Sequence, residues 1–331
     1  MAVDSKSDSP WVGFDLGGTK MMALVLDNNF KVIARERKKS KGQDEKSVSV
    51  ERIIKTIRSA LDQLPQPLPA LSGIGLGVPG TLDLDKGLIL EAPNLGWKKT
   101  PIKEIIEKEF KCPVVISNDV DAGVFGEYTF GAAQNSNCVL GVFPGTGIGG
   151  GLVYRGNLFT GKNNSCLEIG HFPVSAHGNK CGCGRYGCLE TVASRLAIAA
   201  AAAVAVFRGE APNLQKIAGT DLVNIKSKAL AQAIAEGDTS IEIIVRQAAR
   251  YLGKTIGGVI NLLVPDTIVL GGGLVEAMPD IYLQEVNKSI KETVMPSFES
   301  LYKLVTAKLG DDATAIGSAA WAKKIISGKP V

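Results

Sequence analysis

Apolar residues fill Trp11, Val12 and Phe14 and then run from Met21 to Leu26, with a polar and glycine-rich stretch between. The pattern predicts strands over 11–15 and 20–26 joined by a hairpin turn at 16–19. Val50, Ile53, Ile54, Ile57 and Leu61 recur at helical spacing, so 46–63 reads as an amphipathic helix. Pro65, Pro67 and Pro69 end it. A buried strand over 73–78 leads into Pro79-Gly80. Thr100-Pro101 marks a helix start, with an N-cap residue followed by Pro at the first helical position. Ile102, Ile105, Ile106 and Phe110 form its buried face, and a strand over 114–116 then enters Ser117-Asn118-Asp119-Val120-Asp121.

The pattern partly repeats further on. A strand over 139–143, a glycine-rich turn over 144–151 and a strand over 152–154 match the opening of the chain. A long helix covers 241–263, and a short strand over 267–270 runs into Gly271-Gly272-Gly273 and another helix. The tail over 313–326 is a helix of small residues (Ala315, Ile316, Ala319, Ala320) able to pack closely. Strands alternating with helices predict an α/β fold. Two halves with the same opening predict a duplicated, two-lobed protein with a ligand cleft between the lobes.

Composition narrows the class. The 331 residues are 45% hydrophobic and 21% charged, which excludes a disordered, collagen-like or coiled-coil chain. At ~150 residues per domain the length predicts two domains. Net charge is only +4, so nothing calls for nucleic acid or a membrane surface. The densest basic run (Arg35, Arg37, Lys38, Lys39, Lys41) reads as a solvated strand end. The longest apolar run, 196–207, is mostly Ala between Arg195 and Arg208. It falls short of the ~20 residues of a membrane span and reads as a buried helix of a soluble protein. The polar first ten residues contain no signal-peptide core, and a cytoplasmic location is expected.

Gly145-Thr146-Gly147-Ile148-Gly149-Gly150 matches the dinucleotide fingerprint, and Glu168 follows at about the expected distance. That fingerprint needs a helix after the turn, whereas Leu152-Val153-Tyr154 reads as strand. A second reading takes three turns together: Gly17-Gly18-Thr19, Gly145-Thr146-Gly147 and Gly271-Gly272-Gly273. Each follows an apolar strand, and glycine lets backbone N–H groups approach phosphate closely. None is a P-loop. Three such turns in a two-lobed chain point to a nucleoside triphosphate, with Asp15 beside the first turn either as a Mg²⁺ partner or as a residue that closes the hairpin. Lys20 follows that turn as a counter-charge for phosphate.

The cysteines divide in two. Cys112, Cys138 and Cys166 are scattered and read as reduced thiols in or near the core. Cys181, Cys183 and Cys188 follow His171 as H-x9-C-x-C-x4-C, one of only two histidines in the chain. Three thiolates and one imidazole make a tetrahedral zinc set with no open position, hence a structural metal. Gly182, Gly184 and Gly187 supply the tight ligand loops, and His177 reads as a surface residue. Glu168 and Glu190 flank the cluster, and carboxylates held rigidly suit sugar hydroxyls.

With these motifs the chain resembles the ROK family of sugar kinases and repressors. The resemblance runs through Phe14 to Lys20, Gly75 to Gly80, Ala92 to Trp97, Asn118-Asp119 with Gly126-Glu127 downstream, Gly145 to Gly150, and Leu270 to Gly273. Its most specific parts are Glu168-Ile169-Gly170-His171 (ExGH) and Cys181 to Glu190 (CxCGxxGCxE). It implies an actin-like (ribonuclease-H-like) duplicated kinase fold. A smaller lobe would cover 1–118, with the helix over 313–331 packing back on it, and a larger lobe 119–312. It also implies Asp119 as catalytic base, and Asn94, Asn118, Glu168, His171 and Glu190 as sugar contacts beside it. Asp121 departs from the family's usual pattern and would raise the Asp119 pKa if it pointed inward.

The activity implied is ATP-dependent phosphorylation of a hexose at its 6-hydroxyl, with Mg²⁺ and a structural zinc, in a homodimer or homotetramer. Glucose is the expected acceptor, because 163–167 ahead of Glu168 is bulkier than the family's usual small-residue run and would crowd a C2 acetamido group. N-acetylhexosamine and fructose kinases are the alternatives within the family. A sugar-sensing repressor is less expected, because only ten residues precede the first strand and leave no room for a helix-turn-helix. An NAD-dependent oxidoreductase is least expected.

Overall fold

The computed structural model describes residues 9–17, 20–40, 46–67, 70–92, 95–162, 166–329 and 331, apart from the side chains of 46–49. Gly18, Thr19, Asn94 and 163–165, which carry expectations above, lie outside the described residues.

The chain opens with β1 (Trp11–Leu16), β2 (Lys20–Leu26) and β3 (Val32–Lys39), followed by α1 (Lys46–Leu61) and β4 (Gly73–Val78). A small sheet follows, of β5 (Thr81–Asp83), β6 (Leu88–Ala92) and β7 (Trp97–Thr100). Then come α2 (Ile102–Phe110), β8 (Val114–Asn118) and α3 (Asp119–Phe130). The first large sheet has the order β3-β2-β1-β4-β8, with β1, β4 and β8 parallel. Phe14, Met21, Ile53, Ile57, Ile74, Leu76 and Ile106 share one buried core, joining the apolar faces of α1 and α2 to the strands. Thr100 is the last residue of β7, and Pro101 itself occupies the cap of α2, one position later than the Thr-Pro pattern predicts.

The next strands are β9 (Cys138–Pro144), β10 (Ile148–Tyr154) and β11 (Asn157–Leu158). Helices α4 (Glu190–Ala193), α5 (Arg195–Phe207), α6 (Pro212–Ile217), α7 (Ser227–Ala235) and α8 (Thr239–Leu263) precede β12 (Thr267–Leu270). The chain ends with α9 (Gly272–Ala277), α10 (Pro279–Lys291), β13 (Lys303–Thr306) and α11 (Ala313–Ser327). The second large sheet has the order β11-β10-β9-β12-β13. The turn after β9 is only 145–147: Gly149 to Gly151 belong to β10, where a bare backbone lets neighbours close in. A Cβ on Gly150 would stand 2.7 Å from the Leu167 carbonyl oxygen. A strand rather than a helix after Gly147 removes the dinucleotide fingerprint reading.

Contacts divide the chain into two units, Met1–Asn135, Leu152–Cys166 and Asp311–Val331 in one, and Ser136–Gly151 and Leu167–Gly310 in the other. The boundary therefore falls after α3 rather than at 118. Small residues explain why α3 stays with the first unit. A Cβ on Gly317 of α11 would lie 1.8 Å from the Ala122 carbonyl oxygen, and one on Gly126 would lie 2.5 Å from that of Ala313. The other face of α11 lies as tightly on the sheet. Cβ atoms on Gly13 and Gly75 would stand 1.8 and 1.9 Å from the carbonyl oxygens of Ala315 and Ser318.

Helix α5 corrects one expectation. Ile198, Ala202, Ala205 and Val206 are buried, but Leu196, Val204 and Phe207 are exposed, Phe207 by 87%. The Ala-rich run packs on one face only. No described helix is long and apolar enough to cross a membrane.

Candidate active site

In the first unit, two strand ends bring acidic groups together. Asp15 lies near the end of β1, and Asp119 begins α3 directly after β8. Asn118 has extended backbone and caps α3, its side-chain oxygen accepting from the N–H groups of Val120 (2.9 Å) and Asp121 (3.3 Å). A capping Asn at the strand–helix junction fixes Asp119 in the first helical turn, where the helix N-terminus favours negative charge. The Thr314 hydroxyl donates to the Asp119 carbonyl oxygen at 3.0 Å, tying that residue to α11. Burial raises the Asp15 carboxyl to about 7, with the Asp119 carboxylate adding to the shift and Lys20 opposing it.

Gly17 closes the first turn by donating its N–H to the Lys20 carbonyl at 3.0 Å. The Lys20 ammonium pairs with Asp311 Oδ1 at 2.9 Å, and Arg37 with Asp311 Oδ2 at 2.8 Å. The hydrogen bond from Lys20, with Arg37 beside it, holds the Asp311 carboxyl below its usual range. Asp121 is buried within α3. Glu127 is also buried and accepts from the Ala132 N–H at 2.8 Å, a structural tie at the end of that helix.

In the second unit His171, Cys181, Cys183 and Cys188 converge, their ligand atoms all within 4.8 Å of one another. Cys181 Sγ lies 3.5 Å from His171 Nδ1, and Cys183 Sγ lies 3.7 Å from Cys188 Sγ. A tetrahedron with Zn–S of about 2.3 Å and Zn–N of about 2.0 Å has edges of roughly 3.5–3.8 Å. The donor set and these spacings fit zinc. Burial pushes the Cys188 thiol up to about 12 and raises Cys181, while the backbone N–H of Arg185 lowers Cys183. Thiols this close favour a cation that would neutralise their thiolates.

Glu190 opens α4 and reaches two neighbours. Its Oε2 accepts from the Ile148 N–H at 3.1 Å, and its Oε1 lies 3.8 Å from Cys181 Sγ. Glu168 is exposed just ahead of the short helical turn Ile169–His171. Gly145 and Gly147 close their turn through a 2.8 Å bond from the Gly145 N–H to the Gly147 carbonyl. Gly271 caps α9, and Gly272, at φ +81°, is its first residue. A Cβ on Gly271 would stand 2.2 Å from the Phe143 ring. Gly273 follows inside α9. The sequence reading missed Asp311, Thr314 and Arg195, each of which meets a motif residue from a distant part of the chain. Only the acidic pair ahead of the small-residue helix hinted at Asp311.

A duplicated α/β chain with an Asn-capped aspartate, glycine turns after strands and a Cys₃His knot has the parts of a two-lobed phosphotransferase. The sequence profile described as the ROK family matches residues 11–325, and the chain belongs to that family. A glucokinase of Halalkalibacterium halodurans is 33% identical, with 94% of each chain covered. One of Thermotoga maritima is 30% identical, covering 96% of this chain and 98% of its own. The crystal structure of a ROK family glucokinase from Streptomyces griseus in complex with glucose and AMPPNP superposes with a TM-score of 0.83. It is 28% identical and covers 96% of this chain and all of its own. The fold is the actin-like, two-lobed fold of ROK sugar kinases.

Proposed function

We propose that the chain is an ATP-dependent hexose kinase that phosphorylates glucose at the 6-hydroxyl. The observation that carries this is Asp119, held by the Asn118 cap in the first turn of α3 beside Asp15. Glucokinase relatives across nearly the whole chain support glucose as the acceptor.

Asp119 accepts the proton of the 6-hydroxyl as that oxygen attacks the γ-phosphorus, and the β–γ bridging oxygen leaves with ADP. Asn118, Glu168, His171 and Glu190, with Asn94, hydrogen-bond the remaining hydroxyls and orient the hexose. The turns at Gly17–Thr19, Gly145–Gly147 and Gly271–Gly273 hold the nucleotide. Lys20 neutralises transferring phosphate, which requires it to leave Asp311. Asp15 would hold Mg²⁺, directly or through water, and bound Mg²⁺ supplies charge neutralisation on the phosphates. His171, Cys181, Cys183 and Cys188 would hold a structural zinc that anchors the sugar-binding carboxylates. The exposed apolar stripe of α5 supports a homodimer or homotetramer, which light scattering tests.

A coupled assay of glucose, mannose, N-acetylglucosamine, N-acetylmannosamine and fructose, each with ATP, GTP and polyphosphate, tests the reading. Glucose with ATP should give the highest kcat/KM. An N-acetylated sugar in first place would reassign the acceptor. No turnover with any pair would overturn the kinase reading.

A further inference from the structure

One short stretch of chain, starting two residues after Cys188, holds three of the four residues 145–148. The Arg195 N–H donates to the Gly145 carbonyl at 2.8 Å. Its guanidinium Nη2 donates to Thr146 Oγ1 at 3.1 Å. Glu190 Oε2 accepts from the Ile148 N–H at 3.1 Å. Thr146, Glu190 and Ser194 line a cavity of about 250 Å³ together with Lys180 from the cysteine loop.

The chemistry of the Arg195–Thr146 pair has a direction. A guanidinium only donates, so Thr146 Oγ1 must be the acceptor in that bond. The single hydroxyl proton is then left for another acceptor. A phosphate oxygen is such an acceptor, and a hydroxyl already held in the donating orientation loses less entropy when it binds one.

We infer that Arg195 is a positioning residue for nucleotide phosphate: it presets the Thr146 hydroxyl as a donor and fixes the turn that carries it. The inference rests on the reading of 145–147 as a nucleotide-phosphate turn. It adds a residue that no glycine pattern contains and ties that turn to the segment leaving the cysteine cluster.

The test uses Arg195→Met, Arg195→Lys, Thr146→Val and the Arg195→Met/Thr146→Val pair. KM for ATP and for glucose are measured separately, and Mg-ADP binding by calorimetry. Arg195→Met should raise both the ATP KM and the Mg-ADP Kd about 10-fold, the scale of one charge-assisted hydrogen bond. The glucose KM should stay within about twofold, because Arg195 acts on the nucleotide side only. Arg195→Lys, which keeps a donor-only cation, should recover most of the loss. On the Thr146→Val background the Arg195 change should add little, because the two act as one unit. An unchanged Mg-ADP Kd in folded Arg195→Met would overturn the inference, as would additive effects or an equal rise in the glucose KM. Wild-type protein that binds neither Mg-ADP nor glucose would instead overturn the kinase reading beneath it.

Discussion

Gly147 faces Glu190 with no room for a side chain: a Cβ there would stand 2.3 Å from Glu190 Oε2. That oxygen is the one that accepts from the Ile148 N–H. The glycine therefore serves the carboxylate as much as the turn.

Gly147→Ala should act through Glu190. The carboxylate is the movable end of its side chain, so the fold survives while the Ile148 bond breaks. Loss of one charge-assisted bond predicts a glucose KM raised about 10-fold or more, with the melting temperature little changed. Steady-state kinetics and a melting curve check it. A normal glucose KM would detach Glu190 from sugar binding.

Asp15 predicts a pH dependence of stability. Burial and Asp119 raise its carboxyl from 3.8 to about 7, so the native ligand-free protein retains a proton that the unfolded chain releases. Unfolding then becomes easier as pH rises through that window. The contribution is complete below 3.8 and lost above about 7. Asp15→Asn should remove this slope, leaving stability unchanged at the acid end and raising it above neutrality. Parallel melting curves across the range decide it, and identical slopes would contradict the assignment.

Cys183→Ser should lower zinc content and melting temperature together, with activity following as the loop that sets Cys181 against Glu190 loses its metal anchor. Disturbing such support typically costs ~10–100-fold in metal affinity or activity. Elemental analysis of the purified protein checks the premise, since fully active protein without zinc would contradict it.

Gly317→Ala tests why α3 belongs with α11. Its Cβ would meet the Ala122 backbone at 1.8 Å, and backbone yields less readily than a side-chain tip. Overpacking of this kind typically costs ~1–3 kcal/mol. Denaturant unfolding should show a lower midpoint, and an unchanged midpoint would mean that the helices separate freely.

The sequence made some of this legible and not the rest. The apolar runs of β2 and β12 are legible in the sequence, and that of β12 coincides with the strand Thr267–Leu270. The His171, Cys181, Cys183 and Cys188 cluster was readable because its ligands lie within one short loop. Asn118 and Asp119 were readable because capping and acidity sit in adjacent residues. The unit boundary was not, because α3 and α11 meet through Gly and Ala, which print no apolar period. Nor were the pairs Lys20–Asp311 and Thr146–Arg195, whose partners lie 291 and 49 residues apart in the chain. Exposure of Phe207 was hidden for a related reason: an alanine-rich run looks buried on every side.

The most direct measurement is the turnover of Asp119→Asn beside the parent protein, with glucose binding measured on the same samples. The substitution keeps the Asn118 cap and the shape of the residue but removes the proton acceptor. General-base losses are typically ~10²–10⁴-fold, so kcat should fall by at least 100-fold while glucose still binds. Near-normal turnover would contradict the account and move the proton-accepting role to another carboxylate, Asp121 first.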